Sequence, residues 1–120
     1  MRSEWIEHNG KKIFYPNFST NFYNSSVVKA ELAEVQEVVK SQPLNSVLVL
    51  SDFRDTNIGS DLLSEMNTAS AATKAYVQRT AVLGVTGMKR KLADLLTAIT
   101  GQPLKYFDNL ETAKNWLVED

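Results

Sequence analysis

A chain of 120 residues, 43% hydrophobic and 22% charged, fits one globular domain built on a single core. Thirteen basic against fourteen acidic side chains leave a formal charge of −1, so no broad basic field exists to hold a nucleic-acid backbone. The absence of cysteine removes disulfides, thiolate nucleophiles and sulfur-ligated metals; the single His8 removes a histidine-rich metal site, and no motif asks for a cofactor. The opening residues MRSEWIEHNGKK lack the apolar region of a secretory signal, and no run approaches the ~18 apolar residues of a membrane-spanning helix. A cytoplasmic protein without a transmembrane segment is the expectation.

In chain order, residues 3–8 and 11–18 read as paired strands around Asn9-Gly10, because both positions of such a tight turn must tolerate positive φ. Pro16 offers no N–H to a ladder and belongs at a strand end or on an edge. Ser25 or Ser26 can cap a helix over residues 27–41, whose Val28, Leu32, Val35 and Val39 recur at three- and four-residue steps, with Pro43 helping to end it. SVLVL is short, β-branched and continuously apolar, as a central parallel strand covered on both faces should be. A helix from Ser60 to about Gln78 carries Leu62, Met66, Ala69, Thr73 and Tyr76 on one stripe, and TAVLGV is a second buried strand. GMKRKLADLLTAITG reads as a helix with Met88, Leu92, Leu95, Leu96 and Ile99 inward and Gly101 as its stop. LKYF is a last short strand, and Asp108 or Asn109 can cap a helix burying Leu110, Ala113, Trp116 and Leu117. The order ββαβαβαβα defines a single α/β domain over residues 1–120, with a mixed, mostly parallel sheet. Right-handed crossovers would place helices on both faces of that sheet.

Several phrases in this order, HNGKKIFYPNFS, VLVLSDFRD, AVLGVTGMKRKL and YFDNLETAKNWL, resemble the SpoIIAA-like family of the STAS superfamily, which shades into Sec14-like (CRAL-TRIO) lipid-binding domains. The resemblance covers nearly the whole chain and implies a scaffold rather than a chemistry. In sporulation members of the superfamily, a Ser at the N-terminus of the helix after the central strand is phosphorylated to switch partner binding. The resemblance puts Ser60 at the corresponding junction, with Thr56 a few residues earlier, and IGSD stands where the family carries an Asp-Ser-Ser-Gly type of motif.

The stretch LVLSDFRDTNIGSDLL gathers Asp52, Arg54, Asp55, Asn57 and Asp61 where a parallel strand hands over to a helix, the usual position for ligand and regulatory contacts. These five residues are the candidate interaction loop. Ser60 is either a helix cap or a phosphoswitch with Thr56. Asp52 and Asp55, three apart in a loop, are paired carboxylates that can support acid–base or magnesium chemistry, although an Asp at a strand end more often bonds loop backbone, and Arg54 is a ready charge partner. Lys89, Arg90 and Lys91 follow Gly87 in a first helical turn, where the macrodipole disfavours cations; solvation or pairing with Asp94 explains them, as does an anion site. His8, beside the hairpin turn, reads as solvated. Trp5, Phe14, Tyr15, Phe18, Phe22 and Tyr23 read mainly as packing. SEWIEHN segregates its faces poorly, leaving Trp5 or Ile6 open on an edge strand and making a homodimer a candidate state.

With no complete catalytic constellation in the chain, the leading reading is a bacterial, non-enzymatic regulatory or protein-interaction module with a protein partner. The alternative is binding of a lipid or other amphiphilic anionic ligand near Lys89-Arg90-Lys91, and enzymatic activity ranks third.

Overall fold

The computed structural model describes residues 3–19, 25–56, 60–84 and 104–119, the side chains of Ser25, Ser60 and Leu63 excepted. Five strands form one sheet in the order β1-β2-β3-β4-β5: β1 (Glu4–His8), β2 (Lys11–Tyr15), β3 (Val47–Asp52), β4 (Val77–Leu83) and β5 (Leu104–Phe107). Only β1 and β2 are antiparallel; every later pairing is parallel. Three described helices complete the fold: α1 (Ser25–Lys40), α2 (Ser60–Thr73) and α3 (Leu110–Leu117). The helix expected over residues 87–101 lies outside the described residues.

The first hairpin forms as its turn requires, with Asn9 at φ 50° and Gly10 at φ 80°, pairing His8 with Lys11 through to Glu4 with Tyr15. Strand β2 stops at Tyr15 rather than at residue 18 because Pro16 has no N–H to donate. The chain stays alongside β3 nonetheless: Asp52 N–H donates to Pro16 O at 3.0 Å and Phe18 N–H to Asp52 O at 2.9 Å. Helix α2 ends at Thr73, short of the residue 78 its stripe suggested, because Val77 to Arg79 pair with β3 instead. In α3 the cap is Asn109, whose side chain accepts from Thr112 N–H at 3.1 Å.

Adjacent strand residues divide the core between two faces. Phe14, Val47 and Val49 pack with Val28, Leu32, Val35 and Val39 of α1 and with Leu62 and Ala69 of α2. Ile13, Leu48, Leu50, Ala81 and Leu83 pack on the other side with Ala113 and Leu117 of α3. Each large side chain so buried contributes roughly 1.5–3 kcal/mol. The crossover helices α1 and α2 therefore share one face, a correction to the expectation that crossovers cover both. The reason lies in the strand order, which advances steadily across the sheet, so crossovers of one hand fall on one side. The terminal helix α3 covers the second face.

Candidate functional site

The carboxyl ends of β3 and β4 meet the polar loop that follows Asp52. Residues of β3 alternate between faces, which turns Asp52 toward the α3 side with Leu48 and Leu50, and it ends 0% exposed. A buried carboxylate is costly unless its oxygens are occupied. Here they are: Arg54 Nη2 donates to Oδ2 at 2.7 Å, Arg54 Nε to Oδ1 at 3.0 Å, and the Arg54 backbone N–H to Oδ1 at 3.0 Å. The Tyr15 hydroxyl donates to Oδ2 as well. The expectation that Asp52 bonds loop backbone and pairs with Arg54 is met, with Tyr15 added.

Burial pushes the Asp52 carboxyl up, but hydrogen bonds from the Arg54 side chain, the Tyr15 hydroxyl and the Arg54 N–H together hold it below the usual carboxylate value. Burial, then the bond to Asp52, pushes the Tyr15 phenol up to about 12. The bond to Asp52 raises Arg54 further still, so the guanidinium stays charged. The group is thus a neutral phenol and a charged pair across ordinary pH.

Around this knot the loop is stitched to the end of β2. Phe18 and Phe53 stack with ring centroids 4.8 Å apart, Thr56 Oγ1 donates to Phe18 O, and Thr56 N–H donates to Phe53 O at 3.2 Å. From β4, Phe53 N–H donates to Leu83 O at 2.9 Å. Gly84 then turns at φ 86°, where a Cβ would stand 2.5 Å from Arg54 N and 2.6 Å from Phe53 C. Only glycine lets the two chain segments approach so closely.

Of the candidate loop residues, Asp52 is internal, whereas Arg54 and Asp55 face solvent, Asp55 at φ 57°. Asp52 and Asp55 thus do not share one solvent-facing site. Asp61, in the first turn of α2, pairs with Lys29 of α1 at 3.1 Å, which with a backbone bond lowers its pKa. Ser60 opens α2, but its hydroxyl, Asn57, and the Gly87, Lys89, Arg90 and Lys91 turn lie outside the described residues. His8 is half-buried rather than simply solvated, and its Nε2 donates to Asn115 Oδ1 at 2.7 Å. Trp5 is 41% exposed on the edge strand β1, tilted against Phe14, while Ile6 is half-buried against the α3-side cluster. Among the described residues no three His, Asp or Glu side chains gather as a metal site would need, and no helix is long and apolar enough to cross a membrane.

Tyr15, Phe53 and Gly84 are members of this arrangement that the sequence does not single out. By composition Tyr15 reads as one more packing aromatic, although its place beside Phe14 at the end of a strand sends it to the opposite face. Gly84, inside an otherwise buried apolar strand, carried the signal of close backbone approach.

The sheet order, the helices and this strand-to-helix junction define a SpoIIAA-like α/β fold. A similar solved structure is the crystal structure of an uncharacterised protein of the DUF3478 family, with a SpoIIAA-like fold, from Shewanella loihica PV-4. The two superpose with a TM-score of 0.72 over 96% of this chain and 91% of that one, at 9% sequence identity. No protein-family model and no curated protein matches the chain significantly.

Proposed function

We propose that this chain is a non-enzymatic bacterial regulatory module, acting in the cytoplasm, that binds a protein partner through the loop after β3 and the start of α2. The observation that carries this reading is the state of Asp52. Its two oxygens are committed to Arg54 and Tyr15, so the carboxylate serves to hold the loop rather than to move a proton. A loop held by a buried carboxylate paired with a half-exposed guanidinium, a ring stack and a glycine contact is pre-ordered around Arg54 and Asp55, and a pre-ordered surface loses less entropy on binding. The SpoIIAA-like scaffold supports the same reading by analogy of fold.

Capture from the native cell extract tests it, with wild type and Asp55→Asn as parallel baits. Asparagine tolerates the left-handed backbone at this position and removes only the charge. The reading expects one protein retained by wild type and depleted at least threefold on the variant. Recovery of nothing above a blank matrix, or equal recovery on both baits, would falsify it.

A further inference from the structure

We infer that the outer edge of β1 is a second interaction surface, distinct from the loop after β3, and that its occupant is a second copy of this chain, paired antiparallel about Ile6. Such a pairing reverses strand direction across its two-fold axis, so the loops after β3 of the two copies stand at opposite ends of one continuous sheet and both stay open. The inference is therefore independent of what the loop binds.

Main-chain direction identifies the surface. In the two-residue turn at Asn9-Gly10 the flanking His8 and Lys11 exchange main-chain bonds, and alternation then points the N–H and C=O groups of Ile6 and Glu4 inward at β2 as well. Those of Trp5 and Glu7 point outward. Among the described residues no strand lies beyond β1 to take them, and EWIEH pairs without a bulge and contains no proline or lysine, devices that commonly blunt an exposed edge.

The side chains choose the occupant and its register. A two-fold axis normal to the sheet keeps each face continuous, so β1 must pair with its copy about a single residue. Centred on Glu7, two carboxylates would face each other, which opposes pairing. Centred on Trp5, the ladder would need the Ser3 N–H, which is already donated to Glu31 Oε2 at 2.9 Å in a buried bond. Centred on Ile6, Trp5 and Glu7 exchange main-chain bonds with the partner's Glu7 and the partner's Trp5, Ile6 meets the partner's Ile6, and Glu4 falls opposite the partner's His8. No two acids are then opposed. An open groove lined by Trp5, Glu7, Lys12 and Gln42 runs beside this edge, and the same register lays the partner's Trp5 against Glu7 at that groove, covering a ring that is 41% exposed in the single chain.

Sedimentation velocity of the full chain from about 5 µM to about 1 mM should show a reversible equilibrium between monomer and dimer, weak because the shared ladder is short. Trp5→Glu sets an acid opposite the partner's Glu7 and should weaken association at least tenfold, and adding Glu7→Lys to it should bring association back to within threefold of wild type. Should Trp5→Glu fail to fold, Glu7→Pro removes an outward N–H while leaving the bonds between β1 and β2 in place, and should weaken association at least tenfold. Cross-linking reads the register, since the chain has no cysteine of its own. Ile6→Cys places two thiols at the two-fold axis within disulfide reach, whereas Glu4→Cys, on the same face, sets them roughly 14 Å apart. With oxidised glutathione, Ile6→Cys should form the covalent dimer at least tenfold faster. The inference is overturned by a single 13.4 kDa species at about 1 mM, by undiminished association in folded Trp5→Glu or Glu7→Pro, by failure of the folded charge-swapped double variant to recover, or by Glu4→Cys cross-linking as fast as Ile6→Cys.

Discussion

The two ends of the central strands solve the same problem by different means. At the amino end, the turn before β3 places Asn45 at φ 53°; at the carboxyl end, the loop after β3 places Asp55 at φ 57°. The amino-end turn is held mainly by main chain: Asn45 N–H donates to Ala75 O at 2.8 Å, and Ser46 N–H and Val47 N–H both donate to Tyr76 O at 3.0 Å. The carboxyl-end loop has main-chain bonds of its own, among them Phe53 N–H to Leu83 O at 2.9 Å, but adds a network of side chains through Asp52, Arg54, Tyr15, Thr56 and the Phe18–Phe53 stack. Main-chain bonds persist through most substitutions and ordinary pH, whereas a loop pinned by charge and hydroxyl can be released by changing one atom. The end that the fold makes alterable is the end proposed to meet a partner.

The largest break in this contrast should come from Gly84→Ala. A methyl group 2.5 Å from Arg54 N, at a backbone φ of 86°, forces β4 and the loop apart. Strain and displaced packing together should cost about 3–4 kcal/mol, read as a shift in the urea midpoint. A loss under about 1 kcal/mol would mean that the loop is not clamped against β4.

Asp52→Asn comes next, at about 2–3 kcal/mol. Breaking a fully buried pair costs about 3–5 kcal/mol, and the Arg54 side chain, 48% exposed, recovers some hydration. The same group fixes the acid limit of stability. Its folded pKa lies below the unfolded value, so its contribution is complete above about pH 4 and is lost as pH falls through the folded pKa. Urea midpoints of wild type should therefore decline with acid more steeply than those of Asp52→Asn, and parallel declines would remove Asp52 as the cause.

How much of this was legible before the fold was known depended on whether the signal was local. Asn9-Gly10, the α1 stripe, LKYF and the Asn109 cap are all encoded within a few residues of where they act, and each appeared in place. The Asp52–Arg54 pair was legible for the same reason, being two residues apart. Tyr15 reaches Asp52 across 37 positions of sequence, and Gly84 reaches Arg54 across 30; both contacts depend on strand register, which periodicity does not supply. The placement of α1 and α2 on one face escaped for a related reason, since strand order is a property of the assembled sheet.

Tyr15→Phe should cost about 1–2 kcal/mol, because a hydrogen bond to a charged acceptor is lost while the ring and the Arg54 pair remain. In wild type the phenol's pKa is raised from about 10 in the unfolded chain to about 12 when folded. Its stabilisation is therefore present below pH 10 and fades as pH rises through 12. Spectrophotometric titration of the folded protein at 295 nm should show a late-titrating component in wild type that is diminished by one phenol in Tyr15→Phe, and an unchanged late component would place the raised phenol elsewhere.

The smallest effect on stability, and the sharpest on function, should come from exchanging each left-handed residue for glycine. In Asn45→Gly and in Asp55→Gly, glycine relieves a mildly unfavourable backbone but gives the unfolded chain more freedom to lose. These terms oppose one another, so both variants should melt within the equivalent of about 0.5 kcal/mol of wild type. Their partner binding should nevertheless diverge. Asn45 sits at the amino end, away from the proposed surface, and its replacement should leave capture from extract unchanged. Asp55→Gly removes an exposed charge from the clamped loop, and retention of the partner should fall at least threefold although the melting curve barely moves. If the two variants bind alike, the difference between the sheet's ends is one of architecture alone, and the partner surface has to be sought on another part of the molecule.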